Sequence, residues 1–299
     1  MKLHLHIGAH KTASTHLQHL LRNNVSRLQA RSVACFGPQL LRTRMKLPQL
    51  GADHPAGQRL TAPLVLALQQ AQSRGQRLVI SEENILGTTR ANIIACGHRL
   101  YPNADRRVTR FLTLVGARDV TLYLAVRNPP DFVNSAYGQQ IKGGKLINFE
   151  SYIAGFDPLA LRWSELVARL VACPAVGRLV LWRYEDYGQV LPDILAHLLG
   201  PDAASGMRLS SAPRQVGSSA RAIAHARARL RADPTLSRRT AIAEAEAQFP
   251  KSAQWPGPQH FTPDVLAEGM QTYQDDLIAL QSRDKVVFVH PHPCAESGQ

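Results

Sequence analysis

The chain has 299 residues, 44% of them hydrophobic, and a formal net charge of +13 from 35 Lys plus Arg against 22 Asp plus Glu. That apolar content suits a large folded core, and no apolar run approaches the roughly 18 residues needed to span a bilayer. Four scattered cysteines (Cys35, Cys96, Cys173, Cys294) make no zinc or disulfide pattern, and 6% aromatic residues without basic interleaving speak against a single-strand nucleic-acid platform. The sequence opens on a strand rather than a signal-peptide pattern, so the expected location is cytoplasmic.

Leu3, Leu5 and Ile7 alternate as in a strand, and Gly8 opens a tight loop. The loop presents His10, Lys11, Thr12, Ala13, Ser14 and Thr15, and Leu17, Leu20 and Leu21 then fall at helical spacing. The first N–H groups of a helix lack internal partners, and its dipole adds positive charge there. A strand, a small-residue loop with a lysine and hydroxyls, and a helix start together suit a phosphate or sulfate ester. The alternative for this segment is an ordinary strand-to-helix turn with Ser14 or Thr12 as N-cap. Lys11 comes only three residues after Gly8, and no Gly-Lys-Ser/Thr follows, which disfavours a standard nucleoside-triphosphate loop. His4 and His6 share one strand face. His16 and His19 lie near no carboxylate or cysteine in sequence, so no metal site is expected.

Residues 33–36 read as a strand, and 37–60 as an irregular segment long enough to shape a substrate site. A helix over 61–74 leads to a strand at 77–80 that ends in Ser81, Glu82 and Glu83. At the C-terminal end of a strand these carboxylates face the cleft of an open α/β sheet; equally, they favour a helix start. Helices are expected over 90–100 and 105–117. Residues 120–126 form a buried strand, followed at once by Arg127-Asn128-Pro129-Pro130, with the prolines suited to a first helical turn. Ser135 then lies about two turns into that helix, so Arg127 and Ser135 can close on one anion. A helix over 159–172 and a strand over 178–183 follow, the strand ending in Tyr184-Glu185-Asp186, an expected capping cluster. Beyond residue 200 the pattern is helical: 218–232, with a basic stripe of Arg221, Arg227, Arg229 and Arg231, then 237–248 and 262–282. A last strand covers 286–289. The fold class is α/β: a three-layer single unit, a parallel sheet flanked by helices, with a helical C-terminal part over 205–284 that can act as a lid.

With these segments in hand, the chain resembles the sulfotransferases that use 3′-phosphoadenosine 5′-phosphosulfate (PAPS), most closely bacterial members with a short Lys-Thr-Gly-Thr-Thr-type loop. Lys11, Thr12, Ser14 and Thr15 match the first motif, and Arg127, Pro129, Ser135 and Tyr137 match the second. The resemblance implies a P-loop-like fold, a 5′-phosphosulfate held by residues 10 to 15 and a 3′-phosphate held by Arg127 and Ser135. It makes Lys11 a catalytic residue, stabilising charge on the bridging oxygen. Glu82 is the first and Glu83 the second choice of base, and a histidine of the cluster His4, His6 and His10 is the rival. Arg214, in a late basic loop, resembles a residue that closes over the 3′-phosphate and adenine. Ala13 stands where the family has glycine, which matters if that residue needs positive φ. PAPS is the co-substrate, PAP the product, and no metal is required. The acceptor is a small molecule or glycan, and no nucleic-acid partner is expected.

Two other classes remain open. A P-loop-like small-molecule kinase shares the sheet topology but would show magnesium-dependent ATP turnover. A non-catalytic polyanion-binding protein would use the same residues as countercharges, with binding that weakens steeply in salt.

Overall fold

Both faces of the first strand are buried, but by different chemistry. In β1 (Lys2–Gly8) Leu3, Leu5 and Ile7 enter one apolar core, while His4 and His6 face the other. A computed structural model describes residues 1–44, 57–209 and 217–292. The remaining strands of the main sheet are β2 (Val33–Phe36), β3 (Arg77–Ser81), β6 (Asp119–Val126), β7 (Val176–Arg183) and β8 (Val286–Phe288); β4 (Ala95–Cys96) and β5 (Arg99–Leu100) pair separately as a small antiparallel hairpin. The six strands run parallel in the order β2-β3-β1-β6-β7-β8. A parallel sheet must be covered on both faces, which makes its strands read as continuous apolar runs. Leu122 and Leu124 of β6 join the Leu3 side, and Tyr123 and Ala125 join the other.

On the face shared by Tyr123, Val180 and Trp182 lie α1 (Ser14–Asn23), α2 (Val25–Gln29), α9 (Tyr187–Leu199) and α10 (Pro201–Ser205). The opposite face is covered by α3 (Gly57–Ser73), α4 (Ala91–Ile94), α5 (Ala104–Val115), α6 (Pro129–Lys142), α7 (Phe149–Ile153) and α8 (Trp163–Val171). The helical hairpin α11 (Ala220–Ala232) and α12 (Arg238–Gln248) packs against that side, as does α13 (Pro263–Gln281). The α/β class with a helical C-terminal part is therefore as the sequence reads.

Two expected elements differ. The helix expected over 90–100 stops after Ile94, and the chain turns through Gly97 (φ 57°) into the β4–β5 hairpin. Left-handed backbone at a glycine breaks helical continuation at little cost. Within 37–60, Leu40–Arg44 forms a π-helical turn and α3 already starts at Gly57. The rest of that candidate loop, 45–56, and Arg214 lie outside the described residues.

Long-range side chains hold the cleft edge of the sheet. Glu185 accepts from the Asn128 N–H (3.0 Å) and the Tyr273 hydroxyl (3.2 Å), clasping the ends of β6 and β7 to α13, as the capping reading of Tyr184-Glu185-Asp186 anticipates. The side chain of Arg162, at the start of α8, makes no capping hydrogen bond. Asp276 supplies the cap from α13, accepting from Trp163 N–H (2.6 Å) and Ser164 N–H (3.3 Å).

Candidate anion-binding and transfer site

From β1 the chain turns to β2 on one side of the sheet, whereas from the neighbouring β3 it crosses to β6 on the other. Ligands of open α/β sheets bind at such a switch point, beyond the carboxyl ends of the strands. Three loops meet there: residues 9–13 after β1, 82–84 after β3, and 127–128 after β6. Their meeting point is Gly8 (φ 76°): a methyl group there would lie 2.8 Å from both Glu83 Cβ and Ser14 Oγ. Only glycine fits, because any side chain would separate the carboxylate loop from the helix start.

The loop itself is left-handed at Lys11 (φ 64°) and at Ala13 (φ 66°, ψ 13°). Backbone of this kind turns successive N–H groups into a concavity that suits an anion. Ala13 is the N-cap of α1 and gives it no side-chain cap, so the alternative of a Ser14 or Thr12 N-cap does not hold. The reason is the turn at Ala13: the hydroxyls of Thr12 and Ser14 both point back and donate to the Ala9 carbonyl (2.7 and 2.9 Å). Both side chains are buried, whereas Lys11 and Thr15 are partly exposed. A left-handed alanine costs about 1–2 kcal/mol, against a chain-entropy cost of about 0.5–1 kcal/mol for glycine. Ala13→Gly is therefore expected to stabilise the fold by up to about 1 kcal/mol and to raise Tm by up to about 2 °C in thermal unfolding; a lowered Tm would contradict the strain.

His10 sits inside the loop with both ring nitrogens engaged. Its Nε2–H donates to Asn84 Oδ1 (3.2 Å), and Nδ1 pairs with the Tyr101 hydroxyl (3.0 Å), which also accepts from the His10 backbone N–H (3.1 Å). Burial lowers its pKa and keeps the ring neutral. The geometry gives His10 the work of a strut rather than a free base.

Positive charge converges on the loop. Arg127, at the end of β6, donates to the Lys11 carbonyl (2.9 Å), lies 4.5 Å over the Tyr184 ring, and has its own carbonyl fixed by Trp163 Nε1 (2.7 Å). Burial lowers the pKa of Lys11, and the positive charges of Arg127 and Lys142 lower it further. An anion placed among these cations would relieve that repulsion. Ser135 is half-buried on α6, and among the described residues no hydrogen bond joins it to the loop or to Arg127.

The two carboxylates after β3 behave differently. Glu82 is 1% exposed and accepts a fork from Arg42, with Nε at 2.8 Å from Oε2 and the terminal nitrogen at 2.6 Å from Oε1. It also caps the turn after β3, accepting from the Asn84 N–H at 3.0 Å. Burial raises its pKa against the pull of Arg42. The Glu83 side chain is 13% exposed and accepts from Arg42 (2.8 Å) and from Gln18 of α1 (2.5 Å). Burial pushes its carboxyl up, but the Arg42 guanidinium, helped by Gln18, outweighs that and holds it at about 2. Arg42, Gln18, Asn84, Tyr101 and Trp163 are site residues that the sequence pattern does not reveal. Each acts from at least 36 residues away from its partner, except where the Asn84 N–H donates to Glu82.

No protein-family model matches the chain, and no curated protein matches it. Among solved structures, it is similar to a sulfotransferase from Alicyclobacillus acidocaldarius at 15% identity and a TM-score of 0.41, over 84% of this chain and 96% of that one.

Proposed function

We propose that the protein is a sulfotransferase that moves a sulfuryl group from PAPS to a hydroxyl of a small molecule or glycan. One observation carries the reading: at Gly8 a carboxylate loop and an anion-binding helix start meet, beside Lys11 and Arg127. The chemistry needs an anion cradle and a proton acceptor within one cleft.

The cationic residues gathered at the loop fit a doubly anionic donor. In this reading the N–H groups at the start of α1 and Lys11 hold the 5′-phosphosulfate end, while Arg127 and Ser135 take the 3′-phosphate. The acceptor oxygen forms a bond to sulfur as the bond from sulfur to the bridging oxygen breaks. The electron pair leaves with that oxygen, which becomes part of the 5′-phosphate of PAP. Lys11 neutralises the charge gathering there, so positioning and electrostatics supply most of the rate. The acceptor proton passes to a carboxylate. Glu83 suits this better than Glu82, because it carries one hydrogen bond on each oxygen and its side chain is 13% exposed, whereas Glu82 accepts a forked Arg42 and the Asn84 N–H and is sealed from solvent. A carboxylate with a low pKa suffices when the proton is lost late, from an oxygen already bonded to sulfur.

Calorimetric titration with PAP, and with AMP as control, tests the donor assignment. Wild type is expected to prefer PAP over AMP, and Arg127→Ala to weaken PAP binding about 10- to 100-fold, since a buried charge-assisted contact is lost. Equal binding of PAP and AMP would overturn the reading. Magnesium-dependent ATP turnover would replace it with a kinase.

A further inference from the structure

The strongest cluster outside the phosphate loop is the ion network around Arg42. We propose that Arg42 is a positioning residue: its guanidinium bridges Glu82 and Glu83 and fixes the Glu83 carboxylate, ionised, beside the Gly8 to Thr15 loop. The inference rests on the sulfotransferase reading for its role in transfer, but the clasp itself does not.

The geometry is that of a fork spanning two acceptors. Arg42 comes from the π-helical turn Leu40–Arg44, which follows β2. One edge of its guanidinium grips Glu82 (3.2, 2.8 and 2.6 Å), and the terminal nitrogen on that edge reaches Glu83 at 2.8 Å. Glu82 is in turn tied to the Asn84 N–H, so it is an anchor for Arg42 rather than a free group. Adjacent carboxylates repel, and without a cation one of them would take up a proton. A lysine cannot reproduce the clasp, because it is a point charge on a flexible stem, whereas arginine offers planar paired donors.

Every element around Glu83 bears on its charge. The π-helical turn brings Arg42, the loop after β1 brings the neutral His10, α1 brings Gln18, and its own turn brings Glu82 and Asn84. Buried His6 of β1 and Tyr101, beside β5, also feel its field. Arg42 is the one full cation in direct contact, and it overcomes the burial that would otherwise push the Glu83 carboxyl up.

The test compares full-length wild type, Arg42→Ala and Arg42→Lys, with carbon-13 labelled glutamate and the Glu83 resonance assigned by Glu83→Gln. In wild type, the Glu83 carboxyl signal is expected to stay in its ionised position down to about pH 4. In Arg42→Ala its midpoint is expected to rise by at least about two pH units, and in Arg42→Lys by about half as much. PAP affinity, measured on the same samples, is expected to change less than about threefold, because Arg42 does not belong to the anion cradle. With PAPS alone and water as acceptor, PAP release should gain an acid limb at the same raised midpoint in the variants. Arg42→Lys keeps the positive charge, so it remains informative if Arg42→Ala does not fold. A Glu83 midpoint that does not move in either variant, or PAP release with the wild-type pH dependence, would overturn the proposal. A wild type that neither binds PAP nor releases it from PAPS would instead overturn the donor assignment, while the carboxyl midpoint would still judge the clasp.

Discussion

Lys11→Ala is expected to lower sulfuryl-transfer turnover about 10³-fold while raising the PAP dissociation constant less than about tenfold. The asymmetry follows from where the charge is needed. In the proposed reading Arg127, Ser135 and the first N–H groups of α1 would hold PAPS and PAP alike, so much of the ground-state binding would survive without Lys11. Charge on the bridging oxygen grows only as the bond to sulfur breaks, and a preorganised cation at that point stabilises the transition state by roughly 3–4 kcal/mol. Lys11 is suited to this because its left-handed backbone (φ 64°) places it at the crest of the loop, and Arg127 holds its carbonyl. Partial burial and the nearby cations also make its own charge costly, so an incoming anion is favoured. Single-turnover measurement with PAPS separates the two effects. Turnover within tenfold of wild type would remove Lys11 from the chemistry.

Stability is expected to fall in two stages as the solution is acidified, and the losses together reach a large fraction of a typical folding free energy. His6 is buried in the sheet, with Nδ1 paired to Ser81 Oγ (2.7 Å) and its ring stacked on Trp182. Burial lowers its pKa from 6.5 to about 4. The unfolded chain then binds a proton that the folded chain refuses, so stability is present above pH 6.5 and is lost as pH falls towards 4. The size is about 3 kcal/mol for this one group. Glu83 supplies the second stage. Its folded pKa of about 2 lies below the unfolded value, so its contribution is held above about pH 4.5 and lost on the way to pH 2. That stage is again about 3 kcal/mol at most. Glu82 acts in the opposite direction, since burial raises its pKa and protonation relieves part of its cost. Urea unfolding at pH 7, 5.5 and 4.5 measures the first stage, to which buried His4, lowered to about 3, also contributes, so His6→Gln should reduce its slope rather than abolish it. Equal slopes in the variant and wild type would show that the buried imidazole does not set the acid limit.

Some of this molecule is written locally. The alternation at Leu3, Leu5 and Ile7, the run over residues 120–126 and the prolines that open α6 each depend on neighbours a few residues away. Strand periodicity and proline geometry act over that range. The same holds for the loop after β1 and for Arg127: a loop residue that directly follows a parallel strand must emerge at the cleft edge. The hairpin after Ile94 was hidden because apolar residues at Ile93, Ile94 and Ala95 fit a helix or a buried strand equally well, and only Gly97 separates the two.

By itself, the sequence determined the α/β architecture, the position of the candidate anion-binding loop after β1, and the placing of Arg127, Glu82 and Glu83 at strand ends. The tertiary structure alone decided which groups are free to act. It set Ala13 in the left-handed region, turned the hydroxyls of Thr12 and Ser14 onto Ala9, locked His10 against Tyr101 and Asn84, and brought Arg42 across two strands to Glu82 and Glu83. The physical reason is distance along the chain. Periodicity reports burial over a few residues, whereas ion pairs, ring contacts and pKa values depend on partners that only folding brings together.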